Sequence, residues 1–288
     1  MTSRADQALS YALITKFLTE YMSEHHALIL IEFIISFTLW NILNIIVMNL
    51  KLNDGHLKRL DWLDFRNRIV SIIHGIFILF LSAYNTFFVH SGCGERNTRF
   101  EEILMNFTNG YFAYDFAAMA YLGILDRSMT IHHSICIGGL TAGLWTGLSG
   151  DVIMGSIFVA EISNPSMHTR NMLRLVGYRY TKAYETAEWS YMILYIFGRT
   201  FLGLPVLYRT WMCDTNHIIV KLMGTGLVMQ SVFFMRQMVS ILKARANEKG
   251  ERKSKNVRMK WLTPMTQEEI VKIDAYNKKK TVDKKHVP

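Results

Sequence analysis

Long apolar stretches alternate with short polar ones along this chain, and the apolar stretches have the length of membrane helices. A helix that crosses a bilayer needs about 20 mostly apolar residues. The clearest run is 27–50, ALILIEFIISFTLWNILNIIVMNL, with a single acid, Glu32. Further runs cover Ile69–Val89, Ile103–Leu125, Ile131–Leu148, Val152–Ser163, Trp189–Tyr208 and Ile218–Leu242. The pattern therefore predicts an all-α fold, a polytopic membrane helical bundle of about seven transmembrane helices. The fourth and fifth runs are short and nearly contiguous, so two separate spans and one re-entrant pair both stay open. Ahead of the first span, Leu9, Leu13, Phe17 and Tyr21 fall near one helical face. Residues 1–26 are read as an interfacial segment, with 5–22 either a helix lying on the membrane or a frayed lead-in.

Composition narrows the function classes. Of 288 residues, 50% are hydrophobic and only 19% charged, where soluble domains carry about 25% charged residues. That much apolar surface excludes disorder, and three cysteines exclude a disulfide-stapled scaffold. A net charge of +9 taken alone suggests nucleic acid. Its distribution removes that reading. Residues 243–288 hold 14 Lys and Arg against 6 acids, and the other 242 residues hold 18 against 17. The charge marks a basic tail after the last span, suited to an anionic leaflet at about 1 kcal/mol per cation or to an acidic partner subunit. Within it, Trp261-Leu-Thr-Pro264 and the amphipathic stretch Glu268–Tyr276 point to a folded contact. The organisation read here is 1–26, a membrane bundle over 27–242, and the tail 243–288.

Loop charges orient the bundle. With seven spans and the N-terminus outside, inner loops 51–68, 126–130 and 165–188 hold 5, 1 and 4 basic residues. Outer loops 91–102, 149–151 and 209–217 hold 2, 0 and 1. Positive charge collects inside, as insertion requires. Cys93 and Cys213 then share the outer side, while Cys136 lies in a span. A Cys93–Cys213 disulfide in an oxidising lumen and two free thiols are both open. The sequon Asn106-Phe-Thr108 sits at the start of a span, where glycosylation is not expected.

A charge near the bilayer centre costs about 2.5–3.5 kcal/mol on insertion scales, so the polar residues in the spans carry the information. They are Arg68, His74, Asp115, His132, His133, Glu161, Arg199 and Arg236. Arg68, Ser71 and His74 follow one helical stripe. His74 reads as a hydrogen-bonded structural residue or a site residue. Asp115 reads as a partner of Arg68 or Arg199, or as part of a site. Arg68 and Arg236 lie near span ends, within snorkelling reach of headgroups. His132 and His133 point about 100° apart on a helix, which leaves one for a substrate and one for a supporter. Proton transfer, polar substrate contact and a structural role all fit them, and no third ligand stands at a metal-binding spacing. Pro165 cannot donate to the carbonyl of residue 161, so the fifth helix stops or kinks beside Glu161. Gly139, Gly143 and Gly147 form a groove for close helix approach.

These residues resemble the TLC-domain family, which includes the ceramide synthases. The elements run in order: Arg68-x-x-Ser71-x-x-His74-Gly75, Gly110-Tyr-Phe-x-Tyr-Asp115, His132-His133, Glu161-x-Ser163-x-Pro165, Arg170, and the Arg199-to-Pro205 segment, together covering about 60–242. In ceramide synthases the His pair resembles the acyl-transfer centre, so the resemblance implies His132 and His133 as tentative catalytic residues in acyl-CoA-dependent N-acylation. Arg68, Ser71, His74, Asp115, Glu161 and Arg199 are the implied lipid- or substrate-binding residues. The acidic His-Asp-x-x-Asp stretch of the synthases has no counterpart at Gly150–Glu161, and the Glu-x-Ser-x-Pro ending resembles the non-synthase branch. Three functions follow: a protein that binds a lipid and supports membrane lipid homeostasis, a ceramide-synthase-like N-acyltransferase, or a structural subunit of a membrane complex. No cofactor or metal is expected, with acyl-CoA entering only as a substrate. Membrane lipids, and further subunits through the tail, are the expected partners. The resemblance favours the endoplasmic reticulum, with the mitochondrial inner membrane as the alternative.

Overall fold

In a computed structural model of the chain, residues 23–52, 57–266 and 268–271 are described. The interfacial segment before Ser23 and the end of the Glu268–Tyr276 stretch lie outside them. Among the described residues the secondary structure is helical, apart from a single antiparallel bridge between Arg96 and Leu148.

Among the described residues the fold is carried by α1 (Glu24–Asn49), α2 (Arg59–Tyr84), α3 (Arg99–Leu122), α4 (Arg127–Thr146), α5 (Gly150–Glu161), α6 (Asn164–Leu175), α7 (Lys182–Ile196), α8 (Gly203–Met212) and α9 (Ile218–Ser254). Two π-helical turns extend the pattern, Asn85–Val89 after α2 and Phe197–Leu202 between α7 and α8. The second precedes Pro205, which cannot donate to the carbonyl of residue 201, and a π turn is a common way to absorb such a break.

Helix ends are set locally. Ser23 caps α1 by accepting from the His26 amide. Thr98 and Glu101 form a reciprocal capping box at α3. Asp126 caps α4, and Gly123 and Gly147 close α3 and α4 with φ of 72° and 67°. That left-handed conformation is open to glycine at no steric cost, so Gly147 serves as a cap, while Gly139 and Gly143 do the packing. A Cβ on Gly139 would stand 3.3 Å from Met223 Cβ, and one on Gly143 would collide with Ile153.

Among the described residues, four segments are long and apolar enough to cross a membrane: α1, α2 with its π turn, Lys182–Met212, and α9. The third and fourth sequence runs correspond to α3 and α4, of 24 and 20 residues. They have the length but not the apolarity, because α3 buries Glu101, Glu102, Asn106, Asn109 and Asp115. The fifth run is α5, with 12 residues. At 1.5 Å per residue it spans about 18 Å, short of a hydrocarbon core of about 30 Å. As Pro165 requires, α5 stops at Glu161 and α6 restarts at Asn164 with the proline in its first turn.

The chain divides into two compact units. The first comprises 1–50, 76–158 and 205–227. Here α1 lies on α3, with the Ser36 hydroxyl and the Trp40 indole both donating to the Phe107 carbonyl at 2.9 and 3.2 Å. Gly110 permits that approach, since a Cβ there would meet Ser36 and the backbone of Phe37. Glu32, the lone acid of the first span, is neutralised by Arg99 and accepts from Asn106 Nδ2 at 3.0 Å. Asn106 is thus 2% exposed and closed to glycosylation. Cys93 and Cys213 form a disulfide across 120 residues, with Cα atoms 5.7 Å apart. Beside it, Glu101 accepts from the Ser91 amide and hydroxyl, both at 3.0 Å, and from the Thr98 amide at 2.7 Å. Under denaturing conditions without reductant, one maleimide per chain is expected to react, at Cys136, rising to three after reduction. Three labels before reduction would remove the disulfide.

The second unit comprises 51–75, 159–204 and 228–288. Here α6 packs on α7, and Met192, Tyr195 and Met238 form an apolar core flanked by Phe234 and Leu242. Helix α9 runs through residue 243 without a break to Ser254. Past it, the Lys260 and Trp261 carbonyls accept from the amides of Lys182 and Ala183 at 2.9 and 3.2 Å, so the Trp261 segment makes a folded contact at the start of α7. Arg236 is exposed on α9.

Candidate functional site

Some of the polar residues of the spans come together, at one place in each unit, while Arg68 and Arg236 lie apart from both. In the first unit, His133 on α4 is 1% exposed and Asp115 on α3 is 5% exposed. Met129 precedes His133 by one helical turn, and its carbonyl lies 2.8 Å from His133 Nδ1. Asp115 Oδ2 lies 2.8 Å from Nε2. A carbonyl can only accept, so Nδ1 carries a hydrogen. The remaining bond then holds one proton between imidazole and carboxylate. Both ring nitrogens of His133 are engaged, which makes it a positioning element and no ready base. Phe112 presses edgewise on both imidazoles, with ring centroids 5.8 Å from His132 and 5.6 Å from His133. His132 turns the other way, is half-buried, and places Nε2 3.8 Å from Cys136 Sγ.

The expected partners of Asp115, Arg68 or Arg199, are thus replaced by His133. Arg68 pairs with Asp64 at 3.0 Å one turn earlier on α2 and lies 3.4 Å from His168 Nδ1. Ser71 donates to the Asn67 carbonyl at 3.2 Å. Such i−4 back-bonding satisfies a hydroxyl within its own helix.

The second place is the break between α5 and α6. Glu161 is 4% exposed and accepts from Asn164 Nδ2 at 3.0 Å. Gly75, next to the buried His74, lets α2 approach, since a Cβ there would stand 3.1 Å from Glu161 Oε2. Arg199 sits in the π turn with its guanidinium 5.3 Å from the Tyr195 ring centroid. It acts electrostatically on Glu161. Of the sequence-derived residues, the structure therefore brings together Asp115 with His133, and separately Glu161 with Gly75 and Arg199. Among the described residues, no three His, Cys, Asp or Glu side chains gather as a metal centre would need.

One polar network has no counterpart in the sequence reading. Glu188 on α7, 1% exposed, accepts from Arg170 Nε at 2.9 Å and from the Tyr184 hydroxyl at 3.0 Å, and pairs with Arg245. Glu248 pairs with Arg179 at 3.0 Å and with Arg245, and Arg252 pairs with Glu185 at 2.7 Å. The signal was spacing: Glu185 and Glu188 on one helix, Arg245, Glu248 and Arg252 on another, each set three or four apart and hence on one face.

No solved structure matches the chain. A family model of the TLC domain matches residues 64–242, from the segment bearing Arg68 to the end of the seventh apolar run and more than half of the sequence. Taken with the apolar helices, this match places the chain in the TLC-domain family of integral membrane proteins.

Proposed function

We propose that this protein binds a membrane lipid, with the lipid's polar end at the α5–α6 break, and that it supports membrane lipid homeostasis without bond-making chemistry of its own. The observation that carries this reading is Glu161, a carboxylate buried at a helix break in an apolar chain. Intramembrane charges are costly and mark functional places, and irregular backbone at that depth belongs where polar groups are received.

N-acyl transfer is the second reading, favoured by His132 and His133 lying beside Asp115. It falls below the first because Met129 and Asp115 engage both nitrogens of His133, which leaves His132 alone to act as base. A structural subunit role is the third. The part of the basic segment that would serve it, Arg245 to Trp261, contacts α7 of its own chain. The disulfide supports an oxidising compartment on its side of the membrane. That agrees with the endoplasmic reticulum, and the mitochondrial inner membrane is the alternative.

Purified protein is expected to carry co-purifying lipid detectable by extraction and mass spectrometry, in a roughly stoichiometric amount, and Glu161→Leu is expected to lose it. Labelled acyl-CoA with a sphingoid base is expected to give no N-acyl product. Turnover that vanishes in His132→Ala would put the acyltransferase reading in its place.

A further inference from the structure

The α5–α6 break holds charges that the protein only partly satisfies. One oxygen of Glu161 accepts from Asn164. Among the described residues nothing donates to the other. Arg199 lies in electrostatic range of Glu161 without closing to an ion pair, and its buried Nε has no hydrogen-bond partner. Ser163, 1% exposed, lies in sequence between Glu161 and Asn164, and its hydroxyl is also without a partner. Glycines bring the backbone in around this point. A Cβ on Gly198 would stand 2.9 Å from Ile162 Cγ2 and 3.2 Å from the Val159 carbonyl. A Cβ on Gly75 would crowd Glu161 itself. Buried polar atoms are ordinarily satisfied, and a buried carboxylate and guanidinium in range of each other ordinarily close. Here a buried carboxyl group, an unpartnered guanidinium Nε within its electrostatic range and an unpartnered hydroxyl two residues along the chain belong to one helix break.

We infer that the α5–α6 break selects a zwitterionic lipid headgroup, with its phosphate on Arg199 and Ser163 and its ammonium on Glu161. The inference rests on the lipid-binding reading above and adds the headgroup class. Guanidinium is the side chain best matched to phosphate oxygens. A purely anionic headgroup would set its charge against Glu161 where the dielectric is low. An uncharged one would leave the guanidinium Nε and the carboxylate without a charged hydrogen-bond partner. Only a group carrying both signs answers both residues.

The test uses the full-length protein in detergent, incubated with equal amounts of phosphatidylethanolamine, phosphatidylcholine, phosphatidylglycerol and diacylglycerol, with retained lipid read by native mass spectrometry. The two zwitterionic lipids are expected to exceed each of the others by about fivefold, since selectivity is a difference of affinities. Glu161→Gln, near-isosteric and now carrying one uncompensated cation, is expected to shift retention to phosphatidylglycerol. Arg199→Gln is expected to abolish the preference for phospholipid over diacylglycerol. A gained preference in Glu161→Gln cannot arise from misfolding. Retention of phosphatidylglycerol or diacylglycerol at or above the zwitterionic level by the native chain overturns the headgroup assignment alone, as does an unchanged order in Glu161→Gln. Retention of no lipid overturns the lipid-binding reading with it.

Discussion

Replacing Glu188 by alanine is expected to destabilise the folded protein by about 3–5 kcal/mol, the cost of leaving buried charges unpaired. Its carboxylate is nearly inaccessible and answers two guanidiniums, Arg170 and Arg245, whose side chains are 14% and 18% exposed. Without it, Glu248 is the acid left to serve Arg179 and Arg245, and Arg170 loses the partner that sets it over the Tyr184 ring at 5.7 Å. Tyr184, 1% exposed, loses the acceptor for its hydroxyl. Glu188→Gln keeps the volume and an acceptor, so it is expected to cost less than alanine but still more than a surface change. The measurement is the thermal denaturation midpoint of the detergent-solubilised protein. Pairing Glu188→Leu with Arg170→Leu is expected to recover part of the loss, because two apolar groups then replace a charge pair. A shift in Glu188→Ala no larger than that of a surface substitution would show that the network does not hold α7 to α9.

The sequence reached the membrane character of this chain because hydropathy is additive along the chain and needs no partner. It likewise located the break at Pro165, a local steric fact, and the polar stripe of α2. It did not supply pairings, because periodicity gives the face of a helix and not what lies opposite. Charge alone offers Asp115 an arginine, Arg68 or Arg199, or a place in a site, and the fold sets it against an imidazole 18 residues away. Residues 243–254 were read with the tail from composition. Yet KARANEKGERKS is rich in strong helix formers, which lets α9 continue, and its Arg245, Glu248 and Arg252 then find two acids of α7 and Arg179 in the turn before it. Loop charge placed Cys93 and Cys213 on one side. Bringing them within bonding distance takes the folded loop ahead of α3, which holds Cys93, and the end of α8, which Cys213 follows.

Leucine at Asp115 or at His133 alone is expected to cost about 3 kcal/mol, and leucine at both much less than the sum. Each single change takes the 2.8 Å partner from a buried polar atom of the other member, and a buried polar atom that loses its partner carries a desolvation penalty. The double change removes both, and an apolar replacement of a buried ion pair is often close to neutral. The coupling from such a cycle is expected at about 1–3 kcal/mol, the range found for residues in one network. Asp115→Asn separates hydrogen bonding from charge. Its amide can still donate to His133 Nε2, while Met129 continues to hold Nδ1, so asparagine is expected to cost less than leucine. Additive single effects would mean that the 2.8 Å contact contributes little. Because both nitrogens of His133 are occupied, the cycle should move stability and leave lipid retention near that of the native chain. Loss of retention in Asp115→Asn at unchanged stability would instead assign the pair to the lipid itself, and would shift the functional centre from the α5–α6 break to α3 and α4.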